Sequence, residues 1–272
     1  MRPRLRAILV CSLCLGACER SSTRSPEPEP EAPSVEQAAA SAARDDEHAM
    51  AYGERTIYVY ADPALAPEVA RLFALFEDLQ AEQVPIDRTT RLPIGWTTLS
   101  FAAEGARLFV EEPDYANQPE TRTRRDVSVS LRTLARQRAV LEHAGVAGQP
   151  IDFDQHVLAF RGALEAQEVF LLRVESPGGR MTGWRLSPNE EVPEDAEVDS
   201  LPVYEILAAR PALLDAMLLP VGYMAFYSGD TLTTVVNEHD EVVCTWGLDG
   251  PEIEREREPE REPVQPLLQP ID

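Results

Sequence analysis

Tyr223-Met224-Ala225-Phe226-Tyr227, Thr231-Leu232-Thr233-Thr234-Val235-Val236 and Glu241-Val242-Val243-Cys244-Thr245-Trp246 follow one another with only short polar stretches between them. All three are rich in β-branched and aromatic side chains, which suit the pleated, half-buried backbone of a strand. Ser228-Gly229-Asp230 and Asn237-Glu238-His239-Asp240 between them carry turn chemistry, since Gly, Asn and Asp tolerate or stabilise a reversed backbone. The reading is a three-stranded antiparallel meander. Strands in succession without intervening helices do not fit a regular βαβ repeat. The fold class is therefore α+β, with mixed or mostly antiparallel sheets and a few amphipathic helices.

Moving towards the N-terminus, Val203 to Leu219 reads as helical with a break at Pro211, and Pro220-Val221-Gly222 ends it. Before an acidic loop, Phe153 to Arg161 and Val169 to Val174 are apolar runs compatible with adjacent strands. Ser176-Pro177-Gly178-Gly179 turns the chain into a further run, Met181 to Leu186. The first half opens with a strand at Thr56 to Tyr60. Leu65, Val69, Leu72, Phe73, Phe76 and Leu79 then recur at three and four residues, the period of a helix with one buried face. Trp96 to Ala102 and Arg107 to Glu111 flank a turn at Ala103-Glu104-Gly105 and read as a hairpin. Asp126 is a candidate cap for a second helix through about His143, with Gly145 marking its exit. The expected division is 51–149 and 150–249. Periodicity leaves open whether these are two similar-sized subdomains or one continuous sheet.

The two ends differ in composition from this centre. Arg2, Arg4 and Arg6 lead into the apolar run Ala7 to Leu15, followed by Gly16-Ala17-Cys18. The run is too short for a permanent membrane span, and the pattern resembles a bacterial lipoprotein signal peptide with its lipobox. That resemblance implies cleavage of residues 1–17, acylation of Cys18 and anchoring in a membrane. Glu19 after the cysteine implies, by resemblance to envelope lipoproteins of Gram-negative bacteria, the outer membrane with the protein facing the periplasm. Residues 18–50, including Pro26-Glu27-Pro28-Glu29-Pro30-Glu31, hold almost no large apolar side chains. They read as a disordered tether, because such a chain cannot repay the entropy of ordering. A flexible linker of this length reaches roughly 30 Å. Residues 250–272 read as a disordered acidic tail.

Charge and cysteines narrow the function classes. All 25 basic residues are arginines, the net charge is -22, and residues 51–248 alone carry -15. Nucleic acid is not an expected partner, since phosphate binding needs a basic footprint; a cationic protein would be steered towards such a surface. Cys11 and Cys14 fall in the leader and Cys18 at the lipidation site. Cys244 is then alone, so the core must hold by burial without a disulfide.

A longer pattern lies in the second half: Val169-Phe170-Leu171-Leu172-Arg173-Val174-Glu175-Ser176-Pro177, then Thr182-Gly183-Trp184-Arg185, Leu201-Pro202-Val203-Tyr204-Glu205-Ile206-Leu207, Arg210-Pro211-Ala212-Leu213-Leu214 and Leu219-Pro220-Val221-Gly222. Over about 157 to 230 it resembles the immunity protein 33 family of bacterial polymorphic toxin systems, also known as domain of unknown function 2185. Thr182 stands where that family usually has Ser, and Val174 separates Arg173 from Glu175. The resemblance implies a non-catalytic protein that neutralises a cognate toxin by binding it.

Trp184 beside Arg180 and Arg185, together with Arg173 and Glu175, makes the candidate partner surface, since Trp and Arg carry much of the energy of protein interfaces. Asp152, Asp154 and His156 alternate, so on a strand they would share a face and offer ligands to a divalent metal. That pattern supports the alternative of a metal-dependent envelope hydrolase. No motif indicates a fourth ligand, and the preferred reading has no metal, no cofactor and no catalytic residue. A structural envelope lipoprotein without a toxin partner is the third reading.

Overall fold

The computed structural model describes residues 46–246 apart from 191, 192 and 194, and these belong to one compact unit. The leader 1–17, the lipidation site Cys18, most of the tether and the tail 250–272 lie outside the described residues. Among the described residues no helix is long and apolar enough to cross a membrane.

The first half folds around a mixed sheet. β1 (Glu47–Tyr52) pairs antiparallel with β2 (Arg55–Tyr60), which lies parallel to β5 (Arg107–Pro113). β4 (Thr97–Glu104) and β5 make the expected hairpin, and the short β3 (Leu92–Ile94) and β6 (Thr123–Arg124) extend the sheet beside them. Helix α1 (Ala66–Ala81) buries Val69, Leu72 and Phe76 against Ile57, Val59, Leu99 and Leu108. β1 starts inside the stretch expected to be disordered. Its sequence carries no Val, Ile or Thr, and only pairing with β2 makes it a strand.

The second half is a seven-stranded sheet in the order β10-β7-β9-β8-β11-β12-β13. Its strands are β7 (His156–Phe160), β8 (Glu168–Arg173), β9 (Met181–Pro188), β10 (Val198–Pro202), β11 (Met224–Ser228), β12 (Thr231–Val236) and β13 (Val242–Thr245). The last three form the meander expected from the sequence. β7 and β8 are not neighbours, contrary to expectation, because β9 runs between them, parallel to β7 and antiparallel to β8. β10 lies within the stretch that reads as an acidic loop. As an edge strand it carries Asp199 and Ser200, which suit an edge facing water but hide the strand from a hydrophobicity reading. The helical run breaks near Pro211 as expected, into α3 (Val203–Ala209) and a 3-10 segment, Pro211–Ala216.

The two halves share helix α2 (Ser128–Ala144). Leu131 joins the first core, Val140 the second, and Leu134 packs against both. Asp126 contributes one residue earlier than a standard cap: its Oδ1 accepts from the Ser128 amide at 2.9 Å. Gly145 closes the helix in the left-handed region, φ 68°, which its lack of a Cβ permits. The fold is thus two sheets and two cores tied by one helix.

Candidate functional site

Strand β9 carries two of the nominated residues, Trp184 and Arg185. Gly183 has φ +85°, and a Cβ there would lie 2.2 Å from the carbonyl oxygen of Val174. Only glycine lets β9 approach so closely. Thr182 then fixes the next residue: its hydroxyl donates to the His156 carbonyl at 2.9 Å and accepts from the Trp184 amide at 3.0 Å. The hydroxyl that this position shares with serine is used inside the fold. Trp184 points into the second core, fully buried, and its indole N–H donates to the Met217 carbonyl at 2.9 Å. Trp184, expected at a partner surface, stands here as a core anchor. Arg173, expected there too, is also buried. It is buried beneath Trp184, with its guanidinium carbon 5.6 Å from the ring centroid. Its Nη1 donates to the carbonyls of Gln149 at 3.0 Å and Leu219 at 2.6 Å. Burial without a carboxylate pushes its pKa down to about 10.

Arg185, the next residue, is exposed on the opposite face. Register places Leu158 beside it on β7 and Leu172 on β8, and Met224 next to Leu172 on β11. A second row joins Phe170 to Phe226, whose ring centroids lie 5.8 Å apart. Leu158, Leu172, Phe170, Met224 and Phe226 are half-buried and belong to neither core. The helices and the 3-10 segment that supply core residues pack on the other side, through Ile206, Leu213, Leu214 and Val140. Among the described residues, one face of this sheet packs against the core and the other carries these half-buried apolar side chains with a guanidinium among them.

The other nominated residues stand at the margin. Glu175 is exposed. Arg180 is exposed and bridges Glu120 at 3.2 Å and Asp154 at 2.9 Å. The three groups have different partners: Asp154 is paired with Arg180, Asp152 accepts from Thr98 Oγ1 at 3.0 Å, and His156 Nδ1 faces Ser200 Oγ at 2.9 Å. The strand on which these three would have shared a face does not exist. Residues 152–155 form a turn, closed by the Gln155 amide on the Asp152 carbonyl, and β7 starts only at His156. Among the described residues no group of three His, Cys, Asp or Glu could hold a metal ion. Cys244 is buried, and burial pushes its thiol up to about 11, so it packs as a small apolar side chain.

With this geometry in view, comparison with family models finds a match to the Imm33-like domain over residues 136–238. Residues 136–238 are thus similar to an Imm33-like domain. The match is wider than the motif-bearing stretch 157–230, beginning inside α2 and ending just after β12. The family is one of immunity-type proteins. No curated protein and no solved structure matches the chain.

The Imm33-like domain meets the first half at a feature that sequence reading missed. A cleft of about 420 Å³ is lined by Tyr115, Arg124, Arg132 and Arg136 on one side and Leu207 and Pro211 on the other. Each guanidinium already faces a carboxylate: Arg124 with Glu112, Arg132 with Asp62, Arg136 with Asp215. Glu112 is fully buried and also accepts from the Ser130 amide at 2.7 Å, at the start of α2, where the helix dipole favours a negative charge. Desolvation still raises its pKa. Tyr115 hydroxyl lies between Thr97 Oγ1 at 2.6 Å and Ser130 Oγ at 3.0 Å, and its ring stacks on Trp96 at 5.0 Å. Of these pairs Arg136–Asp215 joins the two halves, while Arg124–Glu112 and Arg132–Asp62 lie within the first.

Proposed function

We propose that this chain is a lipid-anchored envelope protein that neutralises a protein toxin by binding it, with no catalysis of its own. The observation that carries the reading is the Imm33-like domain, whose sheet leaves an apolar face open. Binding is the only chemistry such a face needs. The leader ending in Leu15-Gly16-Ala17-Cys18 supports the anchor, and the acidic tether after it would let the domain search around its attachment point. The excess of acids over arginines supports a cationic partner. Outer-membrane residence facing the periplasm follows from Glu19 by resemblance alone.

The test pairs two measurements in the source bacterium. Cells expressing the chain, and cells lacking it, are challenged with toxin encoded beside its gene, and the purified pair is analysed for a stoichiometric complex. Protection together with a one-to-one complex supports the reading. Equal killing in both strains with no complex sinks it, and an envelope defect on deletion would then favour a structural lipoprotein. For the anchor, growth with a clickable palmitate analogue should label the wild type and not Cys18→Ala.

A further inference from the structure

We infer that the open face of the second sheet is the docking surface, and that it takes a protein patch with an apolar centre and one carboxylate, set in a basic surround. The inference rests on the binding reading above and names its surface.

Three observations carry it. The first is the accounting of arginines in the Imm33-like domain. Arg136, Arg138, Arg161, Arg180 and Arg210 each meet a carboxylate, and Arg173 and Arg210 donate to backbone carbonyls. Among the described residues Arg185 has neither kind of partner, although the protein carries far more acids than arginines. A guanidinium presents a rigid fork of donors suited to a carboxylate, and Arg is enriched among residues that dominate binding.

The second observation is its setting. Leu158 and Leu172 flank Arg185 in register, with Met224, Phe170 and Phe226 beyond. Docking would strip water from these side chains and from the ion pair together, which strengthens the pair if its geometry is good. The third is the border. Glu168 begins β8 on this face, opposite Ser228, and Glu238, Asp240 and Glu241 occupy the turn from β12 to β13. An acidic border around an apolar centre selects a partner with the opposite border. A second copy of this chain docked with its two-fold axis at the centre of this face would set Arg185 against Arg185, which disfavours that arrangement.

The partner being unidentified, the probe is a phage-displayed library of random peptides, selected on the full chain in detergent. Wild type should enrich peptides with large apolar residues around one Asp or Glu and with flanking Lys or Arg. Arg185→Glu should bind those peptides about tenfold or more weakly, and Leu172→Thr, which keeps strand propensity, should also weaken them. Arg91→Glu, exposed in the first half, should not. Circular dichroism must show all variants folded. Equal binding by wild type and Arg185→Glu overturns the inference. So does enrichment that appears only when residues 247–272 are removed, which would make the tail the occupant, or a dimer that Arg185→Glu dissociates. The growth challenge separates the two levels. Protection retained by Arg185→Glu overturns this surface and leaves immunity standing; peptide selection as expected without protection from the toxin supports the surface and sinks immunity.

Discussion

Trp184 and Arg185 are adjacent in β9 and face opposite sides of one sheet, the indole fully buried against Met217 and the guanidinium exposed and unpaired among the described residues. Neighbouring strand residues face opposite sides in this way because the side-chain period is two. Trp184→Ala should cost about 3–5 kcal/mol, the range for emptying a large core site. Arg185→Glu should change stability by no more than about 0.5 kcal/mol, as surface substitutions do. Urea titrations of both variants check this. Similar losses in both would mean that Arg185 also holds the sheet.

Much of this arrangement is legible in the sequence, and the limits have physical causes. The meander from Met224 to Thr245 is written in β-branched residues with local turns, so no distant partner is needed to see it. The insertion of β9 between β7 and β8 is a long-range pairing that no local pattern encodes. Alternation shows that Trp184 and Arg185 must face apart, but not which face the helices cover. Composition nominates Trp184 and Arg185 alike, and only the position of the core separates the buried indole from the exposed guanidinium. Asp152, Asp154 and His156 mislead for a different reason: alternation has meaning only on a strand, and residues 152–155 turn. The buried Glu112 is invisible beforehand, since an acid in a strand reads as a surface residue until Arg124 and the start of α2 are brought to it.

Gly183→Ala tests the close approach within β9. The added Cβ would meet the Val174 carbonyl at 2.2 Å, and φ +85° is strained for any L side chain. Backbone atoms cannot rotate away, so a loss of about 2–3 kcal/mol is expected, with Trp184 displaced from its site. Near-ultraviolet circular dichroism and tryptophan fluorescence should report that displacement. A variant with wild-type melting and an unchanged tryptophan signal would refute the constraint.

Glu112 ties β5 to β6 and to α2, and its replacement should loosen the junction between the two halves. Glu112→Ala leaves the buried Ser130 amide without its acceptor, while Arg124, 37% exposed, can turn to water, so the expected cost is about 1–3 kcal/mol. Glu112→Gln keeps an acceptor oxygen and should cost less. Hydrogen exchange should show the first turn of α2 opening faster in Glu112→Ala. If the amides from Ser128 to Leu131 keep their protection, the carboxylate is not what holds that turn.

Asp215, 2.8 Å from Arg136, supplies the clearest dependence on pH. Burial raises its carboxyl from 3.8 to about 6 despite the arginine. The folded state then binds this proton more tightly than the unfolded chain does, so stability falls as pH rises from about 4 to about 6 and is flat above that. The fall attributable to this group is on the order of 2–3 kcal/mol. Glu112 and Asp152, also raised by burial, add slopes of the same sign, and Glu68, lowered by Arg138, adds the opposite. Subtracting Asp215→Asn from wild type leaves those groups in both proteins and isolates Asp215. Urea titrations at several pH values should therefore show wild type losing stability relative to Asp215→Asn between pH 4 and 6. A difference that stays constant, or that favours wild type as pH rises, would mean that pairing with Arg136 outweighs the burial of the carboxylate.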